Sequence, residues 1–197
     1  MNLSQQFSQA LHFANSMHGN QLRKGGQVPY MAHLLSVAAL VLEHGGSENE
    51  AIAALLHDVI EDRGRSWNKG PTGMRNELRK RFGEEVLAII EECTDTDEYP
   101  KPPWRERKEA YLVHLEQTSA SGLLVSLADK VHNLRSILAD YRIVGDELWT
   151  RFKGGKEGTL WYYDALLHAF NTRQESQPEL LAELERARLE LAKLMAV

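Results

Sequence analysis

Residues 51–62 read AIAALLHDVIED, an apolar run that ends in an imidazole and three carboxylates. If this run is helical, Glu61 lies four residues after His57 and Asp62 lies four residues after Asp58, so these groups share one region. Carboxylates this close repel one another unless a divalent cation neutralises them, or solvent does so more weakly. The apolar run favours a buried helix and therefore a cation, but the segment alone leaves both alternatives open.

Helical periodicity extends over the rest of the chain. After the capping residue Ser4, apolar residues recur at steps of three and four at Phe7, Ala10, Leu11 and Ala14. We predict further helices around 34–41, 48–60, 74–82, 84–92, 105–117, 120–139, 157–172 and 180–194, with loops at 61–73 and 95–103. No stretch alternates long enough to indicate a strand. The expected fold is all-α, a single helical bundle over residues 1–197 with a core of about 1–172 and a terminal helix at about 178–196.

The composition excludes several classes of protein. Of the 197 residues, 43% are hydrophobic and 26% are charged, as in ordinary globular domains. The one cysteine, Cys93, excludes an internal disulfide and a cysteine-based zinc site. The net charge of −5 argues against nucleic acid as a partner. No apolar run approaches the roughly 20 residues of a membrane span, and the N-terminus has no secretory signal, so we expect a cytoplasmic protein without a membrane partner.

Two polar residues elsewhere could join the first group. His33 begins an apolar helix, where a lone histidine is more often a packed core residue than a ligand. Asp129 ends the apolar run 123–128, and burying a carboxylate is costly unless a basic neighbour or a cation pairs with it. Asn133 and Ser136 follow Asp129 by four and seven residues, so one helical face would carry all three polar groups.

Three segments together resemble a known family. They are HGNQLRKGGQVPYMAH at 18–33, AALLHDVIED at 53–62 and LADKVHNLR at 127–135. Their order resembles the HD superfamily of metal-dependent phosphohydrolases and, more narrowly, the hydrolase domain of the RelA/SpoT alarmone enzymes. The free-standing small alarmone hydrolases look most similar, and the match covers about residues 1–140. The resemblance implies a helical bundle with a metal site between its helices.

The resemblance also implies a role for each matching residue. A metal ion, usually Mn²⁺, would be held by His33, His57, Asp58 and Asp129. Two neutral imidazoles and two carboxylates would cancel the charge of a divalent ion, and mixed nitrogen and oxygen donors suit manganese or iron. Attacking water would be positioned or deprotonated by the catalytic residues Glu61 and Asp62. The substrate would be bound by Arg23, Lys24, Asn133 and Ser136.

Three positions depart from the pattern of that family. Leu34 stands where proline often follows the first metal histidine, Gly25 where serine is common, and Ser136 where threonine is common. All four implied metal ligands are kept. The departures therefore concern the contacts to the nucleotide rather than the metal site.

The implied activity is metal-dependent hydrolysis of the 3′-diphosphate of a guanosine alarmone, which converts (p)ppGpp to GDP or GTP plus pyrophosphate. Alternatives within the superfamily are an adenosine alarmone hydrolase, an NADPH phosphatase and a nucleotidase. A nucleotide-binding regulator with little turnover is a further alternative, and the intact pair Glu61 and Asp62 argues against it.

Three other features have two interpretations each. Residues 152–158, FKGGKEG, could hold a phosphate at a helix start or form a plain loop. The aromatic residues 161–163 suit core packing better than base stacking. The apolar stripe from Leu180 to Leu194 could form the seam of a homo-oligomer, although a terminal helix packed on its own domain explains it better.

Overall fold

Ten α-helices account for most of the residues that the computed structural model describes, 2–173 and 175–196. In chain order they are α1 (Gln5–His18), α2 (Tyr30–Glu43), α3 (Glu48–Leu56), α4 (Val59–Arg63), α5 (Gly70–Phe82), α6 (Glu84–Cys93), α7 (Trp104–Leu115), α8 (Ala120–Val144), α9 (Gly155–Asn171) and α10 (Pro178–Met195). Two 3₁₀ helices lie at Gly64–Ser66 and Gly145–Arg151. Within the described ranges there is no strand, and one isolated bridge joins Leu22 to Pro29. The predicted all-α fold is confirmed.

The centre of the bundle is α8. Every residue from 122 to 129 in its first half is buried, and a helix that is buried on all sides must be surrounded by others. Helices α2, α3, α6 and α10 pack against it. Because α2 and α3 also pack against each other, three helices with polar residues at the predicted site meet in the middle of the molecule.

Local sequence sets where several helices begin. The hydroxyl of Ser4 accepts from the Gln6 backbone N–H at 3.0 Å, as the sequence predicted for α1. Ser47 and Glu50 form a reciprocal capping box at the start of α3. Such caps satisfy backbone donors that have no partner inside the helix.

The sequence prediction is wrong at the junction after α3. The predicted helix 48–60 is interrupted at His57 and Asp58, and the predicted loop 61–73 contains the end of α4, a 3₁₀ turn and the start of α5. Pro71 occupies the first turn of α5, where a missing N–H costs nothing. Gly73 is needed because the Asn68 carbonyl lies where a side chain would project. Both residues indicate a loop by composition, yet here they fit a helix start.

The terminal helix α10 packs on α8 and α9. Its apolar stripe is buried through Leu180, Leu184, Ala187 and Leu191. The stripe is therefore occupied by the helix's own domain, and an oligomer built on it stays an untested prediction.

Candidate active site

Three predicted metal ligands meet where α2 faces the end of α3. His33 lies in the first turns of α2, His57 directly follows α3, and Asp58 precedes α4. One potential ligand atom from each of these residues lies within 4.8 Å of the others. The backbone break after α3 places an imidazole and a carboxylate next to each other at this point.

The fourth predicted ligand, Asp129, approaches from α8. Its Oδ1 lies 3.3 Å from His33 Nε2 and 3.7 Å from His57 Nε2. Asp129 is outside the tighter three-residue group but its oxygen faces the same two nitrogens. Three separate helical segments thus direct two imidazole nitrogens and two carboxylates into one region.

The orientation of His57 fits a bound cation. Its ring is buried, and Nδ1 hydrogen-bonds the Ala54 carbonyl at 2.8 Å, which directs Nε2 into the cluster. That Nε2 lies 3.0 Å from Asp58 Oδ2, yet it forms no hydrogen bond with any group in the described part of the chain. A short distance without a hydrogen bond is expected when His57 Nε2 and Asp58 Oδ2 both point at a common centre rather than at each other.

The charges of the cluster also favour a cation. Burial opposes the charged form of His57, but the adjacent Asp58 and Asp129 carboxylates outweigh it and raise the pKa of His57 above its ordinary value. Burial likewise opposes the ionised form of Asp58, yet His57 and His33 hold the pKa of that carboxyl well below its usual range. The site therefore attracts positive charge, and its donor set suits a divalent metal.

Hydrogen bonds orient both carboxylates. The Tyr30 hydroxyl donates to Asp58 Oδ2 at 2.6 Å. Lys130 donates to Asp129 Oδ2 at 2.6 Å, and Asn133 donates to Asp129 Oδ1 at 2.5 Å. Such bonds to the groups behind a metal ligand fix the direction in which the ligand points. The sequence analysis assigned no role to Tyr30, although it stands three residues before His33.

The predicted catalytic acids lie on α4, one turn beyond Asp58. Glu61 Oε1 accepts from Lys101 at 2.7 Å, and Asp62 Oδ2 accepts from Gln21 at 2.8 Å. Burial raises the pKa of Glu61, and the Lys101 ammonium partly opposes this rise. The two acids are held by residues from different loops, which the sequence did not indicate.

A cleft of about 530 Å³ opens beside the predicted metal ligands and shares His33 with them. All four residues predicted to bind substrate line it: Arg23, Lys24, Asn133 and Ser136. Two further cations from α7 and α8, Lys108 and Lys130, lie in its walls, and Asp140 is its one acidic lining residue among those described. The cleft is therefore basic where the protein as a whole is acidic.

Hydrogen bonds connect the cleft to the metal residues. Arg23 Nη2 donates to Asn133 Oδ1 at 2.9 Å, and Asn133 in turn donates to Asp129. Asn133 therefore holds Arg23 at a fixed distance from the metal residues. The Ser136 hydroxyl donates to the His132 carbonyl at 3.0 Å, which leaves only its lone pairs for a ligand.

Gly25 explains one departure from the family's pattern. Its φ of +77° favours glycine, and a side chain there would collide with Arg151. Arg151 lies across this glycine and donates to Asp140 at 3.2 Å. The absence of a side chain at Gly25 thus leaves room for the ion pair between Arg151 and Asp140.

The aromatic residues of the C-terminal half both pack and line the cleft. Tyr162 and Tyr163 are buried, as core packing predicts, yet they also form cleft wall together with Trp104 and Phe152. Lys24 Nζ lies 5.8 Å from the centre of the Phe152 ring. Of the segment 152–158, only Phe152 lines the cleft; Gly154 precedes α9, and Gly155 and Gly158 lie in its first turns.

Comparison with known proteins identifies the family. The sequence profile described as "HD domain" matches residues 10–159. The chain belongs to the HD-domain family. This confirms the predicted resemblance, and membership agrees with a divalent metal at the His/His/Asp cluster.

Several curated relatives of this HD-domain protein are named as 3′-pyrophosphohydrolases. A Xenopus tropicalis protein named guanosine-3′,5′-bis(diphosphate) 3′-pyrophosphohydrolase MESH1 is 37% identical over 132 residues, which is 66% of this chain and 68% of the relative. The Homo sapiens protein of the same name is 33% identical over 135 residues, or 67% and 69% of the two chains. An Aquifex aeolicus guanosine-3′,5′-bis(diphosphate) 3′-pyrophosphohydrolase is 29% identical over 134 residues, 68% of this chain and 18% of the relative.

Solved structures share the fold of this HD-domain protein. One, described as "A metazoan ortholog of SpoT hydrolyzes ppGpp and plays a role in starvation responses", superposes with a TM-score of 0.75 at 24% identity and covers 97% of this chain and 98% of its own. Another, lmo0812 from Listeria monocytogenes EGD-e, gives 0.68 at 26% identity and covers 82% and 99%. None of the described helices has the length and apolarity needed to cross a bilayer.

Proposed function

We propose that this protein is a metal-dependent 3′-pyrophosphohydrolase of guanosine alarmones, (p)ppGpp. The observation that carries the proposal is the basic, aromatic-lined cleft of about 530 Å³ that shares His33 with the cation cluster. The names of the curated relatives support the same activity. On this proposal the 3′-diphosphate lies at the cluster and the nucleoside extends along the cleft.

The lining of the cleft supports a polyanionic substrate with a flat base. Arg23 and Lys24 line the cleft with one carboxylate, Asp140, and two further cations of its wall, Lys108 and Lys130, pair with Asp95 and Asp129. A guanidinium stacks on a planar ring, so Arg23 is the proposed contact to the purine. Stacking depends on the planar face that guanine and adenine share, so it does not distinguish them. Ser136 is the proposed contact that does, through a hydrogen bond to the base edge.

The proposed cation is Mn²⁺, held by His33, His57, Asp58 and Asp129. Mixed nitrogen and oxygen donors suit manganese or iron. A divalent cation bound there would lower the pKa of a water and neutralise charge on a phosphoryl oxygen. The four residues fix where that chemistry takes place relative to the cleft.

The proposed proton-handling groups are Glu61 and Asp62. The oxygen of water forms a bond to the phosphorus attached to the 3′ oxygen, and the bond between that phosphorus and the 3′ oxygen breaks. Glu61 accepts the proton of the water, and a proton is returned to the 3′ oxygen as pyrophosphate departs. A carboxylate whose pKa is raised by burial is a better base than an exposed one.

The proposal also covers partners and location. A small nucleotide rather than a nucleic acid is the proposed substrate, because the basic lining residues belong to one cleft and the chain as a whole has a net charge of −5. We further propose that the protein acts in the cytoplasm.

A panel of nucleotides incubated with Mn²⁺, with products separated by chromatography, tests the proposal. The panel contains ppGpp, the adenosine alarmone, NADPH and simple nucleotides. We expect GDP and pyrophosphate in equal amounts from ppGpp, and Glu61→Gln prepared in parallel controls for a contaminating hydrolase. Absence of ppGpp turnover contradicts the proposal, and phosphate released from NADPH alone would assign the site to the alternative phosphatase activity.

A further inference from the structure

His132 lies between the cation cluster and the nucleotide cleft. Its Nδ1 is 2.8 Å from Nδ1 of His33, a hydrogen-bond distance between two imidazoles, and its side chain lines the cleft. Two Nδ1 atoms this close form a hydrogen bond only when one carries the proton and the other does not. The position of the proton on one ring, that is its tautomer, therefore dictates the tautomer of the other.

A cation selects one of the two arrangements. With no cation, His33 Nε2 can carry a proton toward Asp129 Oδ1, 3.3 Å away, and His132 then donates to His33. A cation held by His33 Nε2 needs the lone pair of that nitrogen, so the proton of His33 must be on Nδ1. His33 then donates to His132 Nδ1, and the remaining proton of a neutral His132 is on Nε2.

We propose that His132 is a positioning residue that fixes the tautomer of His33 and, as a consequence, presents an Nε2–H donor to a substrate phosphate or ribose oxygen in the cleft. Within the described part of the chain, no protein group hydrogen-bonds His132 Nε2. His132 thus has two functions carried by two different nitrogens. The part that concerns substrate rests on the function proposed above, and the part that concerns the cation does not.

Two substitutions separate the functions. His132→Phe keeps an aromatic ring and removes both nitrogens. His132→Asn keeps an acceptor near the position of Nδ1, because the amide oxygen is about as far from the backbone, but it removes the donor at Nε2. We expect Mn²⁺ affinity to fall about 10–100-fold in the phenylalanine variant, as for other residues behind metal ligands, and to be largely restored in the asparagine variant.

The KM for ppGpp should respond to the two substitutions differently from the affinity for Mn²⁺. At saturating Mn²⁺, both variants should raise KM for ppGpp about tenfold, the effect of losing one hydrogen bond to a charged group. The measurements are titration of metal-free protein with Mn²⁺ by calorimetry, steady-state kinetics, and thermal unfolding of each variant. Wild-type Mn²⁺ affinity in a folded His132→Phe overturns the positioning role, and a wild-type KM in His132→Asn overturns the donor role.

The outcomes stay informative if one variant does not fold. If His132→Phe is unfolded, Mn²⁺ affinity about 10–100-fold below wild type in a folded His132→Asn shows that the acceptor is not what matters and overturns the positioning role. If wild-type protein does not hydrolyse ppGpp, the function proposed above fails, while the Mn²⁺ titration still decides the role of His132 toward His33.

Discussion

Replacing Asp129 with asparagine should remove the metal and destabilise the protein for two separable reasons. The carboxylate is placed to hold the cation, and it also pairs with Lys130 at 2.6 Å, where the two side chains are only 10% and 13% exposed. Removing one partner of a buried ion pair costs about 3–5 kcal/mol, since the other charge stays buried and unpaired. For a domain of this size that corresponds to a fall of about 6–20 °C in Tm.

A double variant separates the two effects. In Asp129→Asn combined with Lys130→Met, the buried charge is gone, so more than half of the lost Tm should return while the metal stays absent. Metal content is measured after dialysis against Mn²⁺, and Tm is measured by circular dichroism with chelator present. Glu109→Gln is the matched control, because Glu109 forms an exposed salt bridge with Arg105 and should change stability by less than about 1 kcal/mol.

Two results would refute this reasoning. Full Mn²⁺ content in Asp129→Asn would show that Asp129 is not a ligand. A double variant no more stable than the single one would show that the unpaired Lys130 charge is not what destabilises the protein.

Four other residues test proton transfer and base recognition. Glu61→Gln should lower turnover about 10²–10⁴-fold with metal content kept, the usual share of general acid–base catalysis, and wild-type turnover would reduce Glu61 to a structural role. The Lys101 ammonium lowers the pKa of Glu61, so Lys101→Gln should raise that pKa. Because a general base works only when it is deprotonated, the acidic limb of the pH profile of kcat should move to higher pH. A limb at the wild-type pH contradicts this prediction. Arg23→Ala should weaken transition-state binding by about 1–2 kcal/mol, so that kcat/KM falls alike for guanosine and adenosine alarmones. Ser136→Ala should instead change the ratio of the two kcat/KM values. A wild-type kcat/KM in Arg23→Ala would exclude the stacking role, and a wild-type ratio in Ser136→Ala would exclude the base-recognition role.

The helices were predictable from periodicity, and the junction after α3 was not. His57 and Asp58 keep right-handed helical dihedrals, with φ of −58° and −93°, so the apolar pattern continues through a break of only two residues. Pro71 and Gly73 count toward a loop in any reading by composition. In the structure Pro71 occupies the first turn of α5, and Gly73 lies against the Asn68 carbonyl, so both residues fit the start of a helix.

The candidate site was predictable where its residues share a segment or a family pattern. Acids that follow an apolar run indicate a cation because burial makes their repulsion costly. Lys108, Tyr162 and Phe152 reach the cleft from elements that carry no such pattern. Their contribution depends on how α7 and α9 pack against each other, which local sequence does not encode.

The spacing along α8 links the two halves of the site. Asp129, Asn133 and Ser136 lie on one face, and seven residues of helix separate the first from the last by about 10 Å along the axis. Because Asn133 bonds both Asp129 and Arg23, a predicted metal ligand and one proposed base contact belong to one hydrogen-bonded unit. The distance between the proposed cation site and the proposed base contact at Ser136 is therefore set by a centrally buried helix, and we expect a ligand to need that length to engage both ends at once.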